Sequence, residues 1–172
     1  MRTKKAFMQA ALEARAKRFG RPVPIVPFAN WDYYYTTDTL EWRADGEDAA
    51  RLSSVLVPKG FVTDLASIPS AFWSMLPPTG QYTYPAIVHD FLYWYQPVDR
   101  EQADDIFKLA MDDVLVPIAS SAVIYGSVRA GGGGAWSSNK ALREGGERRI
   151  LKAFPENMTI TWDQWKIMDV FA

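Results

Sequence analysis

PAIVHDFLYWYQPVDREQADDIFKLAMDDVLV, residues 85–116, spells two helices and the turn between them. Pro85 suits a first helical turn, where no intrahelical partner awaits its missing N–H, and Pro97 stops the helix 85–96. Asp99 and Gln102 form a capping-box pattern that opens a second helix over 99–116, closed before Pro117. So short a connection predicts an antiparallel pair. His89 lies seven residues before Gln96, and Asp104 lies five after Asp99. At about 1.5 Å of rise per residue the two reach nearly the same level. Asp104 can then accept a hydrogen bond from one imidazole nitrogen. That fixes the tautomer and leaves the other nitrogen to act as a base. Tyr93 is four residues after His89 on the same face, placed to hold the Asp104 carboxylate. Asp90 points about 100° away round the helix, towards the segment that begins at Thr63.

Outward from the hairpin, WDYYYTTDTLEWR (31–43) is aromatic and β-branched and predicts a strand or hairpin. RLSSVLVPKGF (51–61) predicts another strand, stopped by Pro58 and Gly60. RPVPIVPF (21–28), with three prolines, predicts an extended linker. TDLASIPSAFWSMLPPTGQYTY (63–84) has no clean period, and a connection of that length points to function. IASSAVIYGSVRA (118–130) predicts a third helix, rich in small residues. Gly131–Gly134 follow it without the GxxxxGK[ST] pattern of a phosphate loop, so they predict a helix stop. At the start, residues 3–19 predict a helix closed by Gly20. Through Arg21 that arm carries seven basic residues against Glu13 alone. At the end, Thr161 and Gln164 form a second capping box. It opens WDQWKIMDVFA, with Trp165, Met168 and Phe171 predicted on one apolar face. The expectation is an α+β fold, a helical hairpin packed beside a small antiparallel sheet, with N- and C-terminal helices. The expected organisation is a basic N-terminal helix (1–21), one catalytic-like domain (22–136) and a C-terminal extension with an amphipathic helix (137–172).

Composition narrows the chemistry. The chain has 172 residues, 48% of them hydrophobic, enough for a packed core. Nineteen basic residues balance 20 acidic ones, which argues against a general nucleic-acid binder. No cysteine is present, which excludes disulfides, thiol nucleophiles and cysteine-ligated metals. His89 is the single histidine, so multi-histidine metal chemistry is excluded too. No run approaches the roughly 18 apolar residues of a membrane span. The N-terminus lacks the apolar stretch of a secretory signal.

Asp64 and Asp90, with loop carbonyls, make an all-oxygen set. Hard oxygen ligands suit calcium or magnesium, and an irregular loop favours calcium. A cation beside an imidazole is an arrangement for activating water on an ester carbonyl. The succession VPKGFVTDLASIP…HDFLYW…EQADDIF…AM resembles a family of proteins found mainly in bacteriophages and prophages, over roughly residues 30–136. HDFLY is similar to the HDxCY helix of the secreted calcium-dependent phospholipase A-two enzymes, whose bacterial type also carries an upstream TDL segment. Leu92 stands where those enzymes often have Cys. Virion-borne phospholipases of some animal viruses resemble the motif and also lack the disulfides. The resemblance implies that His89 is the general base, that Asp104 orients it and that Tyr93 supports Asp104. It further implies that Asp64, Asp90 and the Leu65 carbonyl hold calcium. The implied activity is calcium-dependent phospholipid ester hydrolysis at a host membrane. The alternative is a non-catalytic virion or assembly protein. A phospholipid membrane or phage structural proteins are the expected partners, with a homo-oligomer through the C-terminal helix as a further expectation. The expected location is the host cytoplasm or the virion.

Overall fold

The structure, a computed structural model, describes residues 5, 18–65 and 82–172. It is α+β. Five short strands are described: β1 (Ile25–Pro27), β2 (Tyr34–Thr36), β3 (Leu40–Trp42), β4 (Val55–Val57) and β5 (Val62–Thr63). Among the described residues there are four α-helices: α1 (Thr83–Tyr95), α2 (Arg100–Asp113), α3 (Ile118–Glu144) and α4 (Trp162–Trp165). No described helix is long and apolar enough to cross a membrane.

The strands form two small antiparallel sheets. One has the order β1-β2-β5, with Val26 opposite Tyr35 and Tyr35 opposite Val62. The other pairs β3 with β4, with Leu40 opposite Val57. Residues 31–43 therefore do contain two strands, but not a hairpin: β2 and β3 go to different sheets. The proline-rich stretch is not a mere linker either. Ile25–Pro27 forms β1, an edge strand, where a missing N–H is tolerated.

The helical pair is present. Gln96, in the left-handed region at φ 52°, caps α1, and the Asp99 side chain accepts from the Gln102 amide at 2.8 Å to open α2. Leu40, Trp42 and Val57 of the two-stranded sheet pack with Ile87, Leu92 and Ile106 of the hairpin in one buried cluster. A second cluster joins Phe107 and Met111 of α2 to Ile124 and Val128 of α3.

Two expectations fail. The four glycines do not end the third helix, which runs through them to Glu144. Each helical glycine is unfavourable by about 1 kcal/mol relative to alanine, so packing must offset them. The contacts are visible: Gln96 Nε2 donates to the Trp136 carbonyl at 2.8 Å, and Trp136 packs edge-on against Tyr93. At the C-terminus the capping box forms, but α4 spans only Trp162–Trp165. Met168 and Phe171 lie beyond it and share no helical face with Trp165. Leu151 bridges Phe171, and Phe61 bridges Ile150. Trp162 and Val170 are buried with Phe28, Tyr35 and Val62. The C-terminal segment is thus folded back onto the sheet. Gly60 fixes that contact: its φ is +83°, and a Cβ there would lie 2.4 Å from the Leu151 carbonyl oxygen.

Of the predicted N-terminal helix, residues 3–4 and 6–17 lie outside the described residues, as do residues 66–81 of the long connection. At the end of the basic arm, Arg18 is spent on internal acids: it bonds Asp45 at 2.6 Å and Asp48 at 3.1 Å.

Candidate functional site

α1 and α2 bring three of the predicted residues into contact. His89 Nε2 lies 3.0 Å from Asp104 Oδ1, and the Tyr93 hydroxyl donates to the same oxygen at 2.7 Å. The short connection and the matching distances from it put these groups level, as the spacing requires. Phe107, one turn after Asp104, stacks on the imidazole with centroids 4.4 Å apart, and the Tyr93 ring packs against it tilted, at 4.1 Å. The ring is therefore held by packing.

Two arginines complete the environment of Asp104. Its Oδ2 accepts from Arg100 at 3.4 Å and from Arg129 at 3.3 Å. Arg100 also bonds the carbonyls of Val128 and Arg129, tying α2 to α3. Sequence reasoning passed over both. Arg100 had a signal, since it precedes Asp104 by four helical positions, the spacing of a helical ion pair. Arg129 had none, because its approach depends on how α3 packs.

These bonds set the charge state. Burial would raise the Asp104 carboxyl, but the hydrogen bonds from His89 and Tyr93 outweigh that and hold it below its ordinary value. Burial lowers His89, and the opposing pull of Asp104 does not overcome it. Burial, then the hydrogen bond to Asp104, pushes the Tyr93 hydroxyl upward. The stable state near neutral pH is a neutral imidazole against an ionised carboxylate. The N–H sits on Nε2, facing Asp104, so the basic lone pair is on Nδ1.

His89 lines a cavity of about 460 Å³, which Asp64, Asp90 and Tyr93 also line. That volume is in the range of small-molecule sites. Asp90 turns towards β5, and its carboxylate accepts from the Thr63 hydroxyl. The same hydroxyl accepts from the Leu65 amide at 3.1 Å. Leu65 has φ 55°, and its side chain is buried in the core. Two predicted carboxylates thus reach one cavity, and Leu65, expected to offer its carbonyl, follows Asp64 directly in the chain with its side chain in the core. Among the described residues, no group of three His, Asp or Glu side chains gathers as a metal site.

The far wall comes from α3. Gly131, Gly132 and Asn139 line it, with Arg149 beyond the helix. Gly132 lies against Tyr93: a Cβ there would fall 2.3 Å from the Tyr93 hydroxyl oxygen. The glycine run, read from sequence as a stop, is instead continuous helix, and Gly132 within it leaves the room that Tyr93 occupies beside Asp104.

The model of a family described as "Protein of unknown function (DUF1353)" matches residues 35–128. Comparison with curated proteins and with solved structures gives no match. The match spans more than half of the chain, which belongs to that family.

Proposed function

We propose that the cavity is the active site of a phospholipid ester hydrolase of phospholipase A-two type that depends on calcium. The observation that carries this reading is the buried His89–Asp104–Tyr93 set, opening on a cavity that also holds two carboxylates. His89 Nδ1 takes a proton from water as the water oxygen attacks the ester carbonyl carbon. The imidazolium is stabilised by Asp104, and its proton passes to the departing alcohol oxygen as the ester C–O bond breaks. The products are a fatty acid and a lysophospholipid. Tyr93, Arg100 and Arg129 keep Asp104 ionised and aimed at Nε2. The cavity also fits a hard cation to this extent: Asp64 and Asp90 supply carboxylate oxygens, and the Leu65 carbonyl is the third candidate. Bound calcium would neutralise developing charge on the ester oxygen and hold the phosphate.

The test is calorimetric titration with calcium and a fatty-acid release assay on the same sample. Calcium uptake at or below millimolar concentration, and hydrolysis abolished by a chelator, are expected. No uptake and no release by the wild-type chain would overturn the reading.

A second reading, a non-catalytic virion or assembly component of a bacteriophage, draws on exposed apolar side chains. Ile118 is 86% exposed, Met158 93% and Ile167 82%, which suits contact with a neighbouring subunit. In that case light scattering finds an oligomer that persists in high salt, and no lipid is hydrolysed.

A further inference from the structure

The guanidinium of Arg149 is an unusual feature of the cavity wall. Its side chain is only 7% exposed. One face lies over Trp94, 4.1 Å from the ring centroid, and Tyr33 is 5.5 Å away. Its Nε donates to Glu147 at 3.0 Å. The group is therefore held in one pose by stacking and by a bond to its inner edge. Among the described residues, neither Nη1 nor Nη2 donates a hydrogen bond to a side chain or carbonyl. Nor are those atoms among the sealed, unpartnered side-chain atoms of the described residues. Arg149 stands between a cavity on its Trp94 and Glu147 side and the cavity that His89 lines, and among the described residues lining the latter it is the one permanently cationic group. Asn139 adds an amide to the same wall.

We propose that Arg149 is the anion anchor of the His89 cavity, binding the phosphate group of the ligand through Nη1 and Nη2. A guanidinium with its Nε occupied offers a fixed pair of donors, which matches two oxygens of one phosphate. Asn139 donates alongside it. The residues responsible lie beyond the matched stretch 35–128. The family region thus supplies the imidazole and its carboxylate, while the following segment supplies recognition of the anion. That the phosphate belongs to a lipid rests on the hydrolase reading; the anion site itself does not.

The single histidine makes the test direct, because one imidazole signal in an NMR spectrum reports on this cavity. The probes are inorganic phosphate and dihexanoyl phosphatidylcholine below its micelle concentration. For the wild-type chain, the His89 signal should move on titration with a phosphate probe. Arg149→Gln should weaken that binding about ten- to a hundredfold, the range expected for a lost charged hydrogen bond. Arg149→Lys keeps the charge and the apolar stem but not the paired donors. It should lose about tenfold, and it stands in if Arg149→Gln does not fold. A response to the lipid with fatty-acid release supports the anchor and the hydrolase together. A response to inorganic phosphate without hydrolysis supports the anchor and overturns the lipid substrate. No movement of the wild-type signal with either probe overturns the anchor. So does unchanged affinity in the variants.

Discussion

His89 has its Nε2 against an ionised carboxylate and its ring packed against both Phe107 and Tyr93. Burial keeps its proton affinity below the ordinary histidine value. On the proposed hydrolase reading His89 is a base that works when unprotonated, so hydrolysis should rise with pH through a limb below about 6.5. Asp104→Asn removes the charge that opposes the effect of burial, so the limb should move to still lower pH and the rate should fall. His89→Ala should cost about a hundred- to ten-thousand-fold. A pH–rate profile of the three proteins checks this, and an unmoved limb in Asp104→Asn would sink the assignment. Stability follows the same groups. Both His89 and Asp104 bind protons less readily folded than unfolded, so the unfolded chain gains protons first as pH falls. The His89 contribution is present above about 6.5 and is lost as pH falls towards its lowered folded value; that of Asp104 is lost at lower pH still. The melting temperature should drop between pH 7 and pH 5, and His89→Gln should flatten that drop. The pairing of His89 with Asp104 was legible in the sequence because both sit at fixed distances from one short turn. Arg129 was not, because no local spacing relates it to Asp104.

α3 shows how an element can contradict its own propensities. Four consecutive glycines argue for a break, yet the helix continues to Glu144. At position 132 the glycine itself has a reason across the interface, where Tyr93 occupies the space a side chain would need. Gly133 is different: a Cβ there would meet nothing within 4 Å. Gly133→Ala should therefore stabilise the chain by up to about 1 kcal/mol through helix propensity. Gly132→Ala should destabilise it by about 1–3 kcal/mol through overpacking. It should also displace Tyr93 from Asp104 and so reduce activity beyond the loss of stability. Thermal melts and rates of the two variants separate the effects, and equal behaviour would remove the special role of Gly132. The C-terminal capping box was legible as a local pattern. The length of α4 was not, because Val170 and Phe171 turn away to complete contacts with the sheet region.

Across the whole molecule, the segment after α3 closes the core. Trp162 is buried against Phe28 and Tyr33, and Leu151 sits on the backbone of Gly60. This region is a structural part of the domain. Trp162→Ala should lower stability by about 3–5 kcal/mol, the cost of an unfilled aromatic site, as measured by denaturant unfolding. A loss below 1 kcal/mol would mean that the C-terminal segment is dispensable to the fold. The same segment carries Arg149, so its closure also finishes the wall of the cavity.

Residues 85–116 by themselves determined a helix, a tight turn, a second helix and the level at which His89 meets Asp104. Those features depend on local spacing, which the sequence states directly. Strand existence was also local, through the aromatic and β-branched runs at 34–36, 40–42 and 55–57. Only the tertiary structure decided that β2 and β3 part into separate sheets, that Ile25–Pro27 becomes an edge strand, and that Gly131–Gly134 stay helical. It alone placed Arg129 and Arg149 beside a site more than forty residues away from the second of them. Each of these outcomes is set by contacts between residues distant in sequence, where packing outweighs local preferences of about 1 kcal/mol per residue.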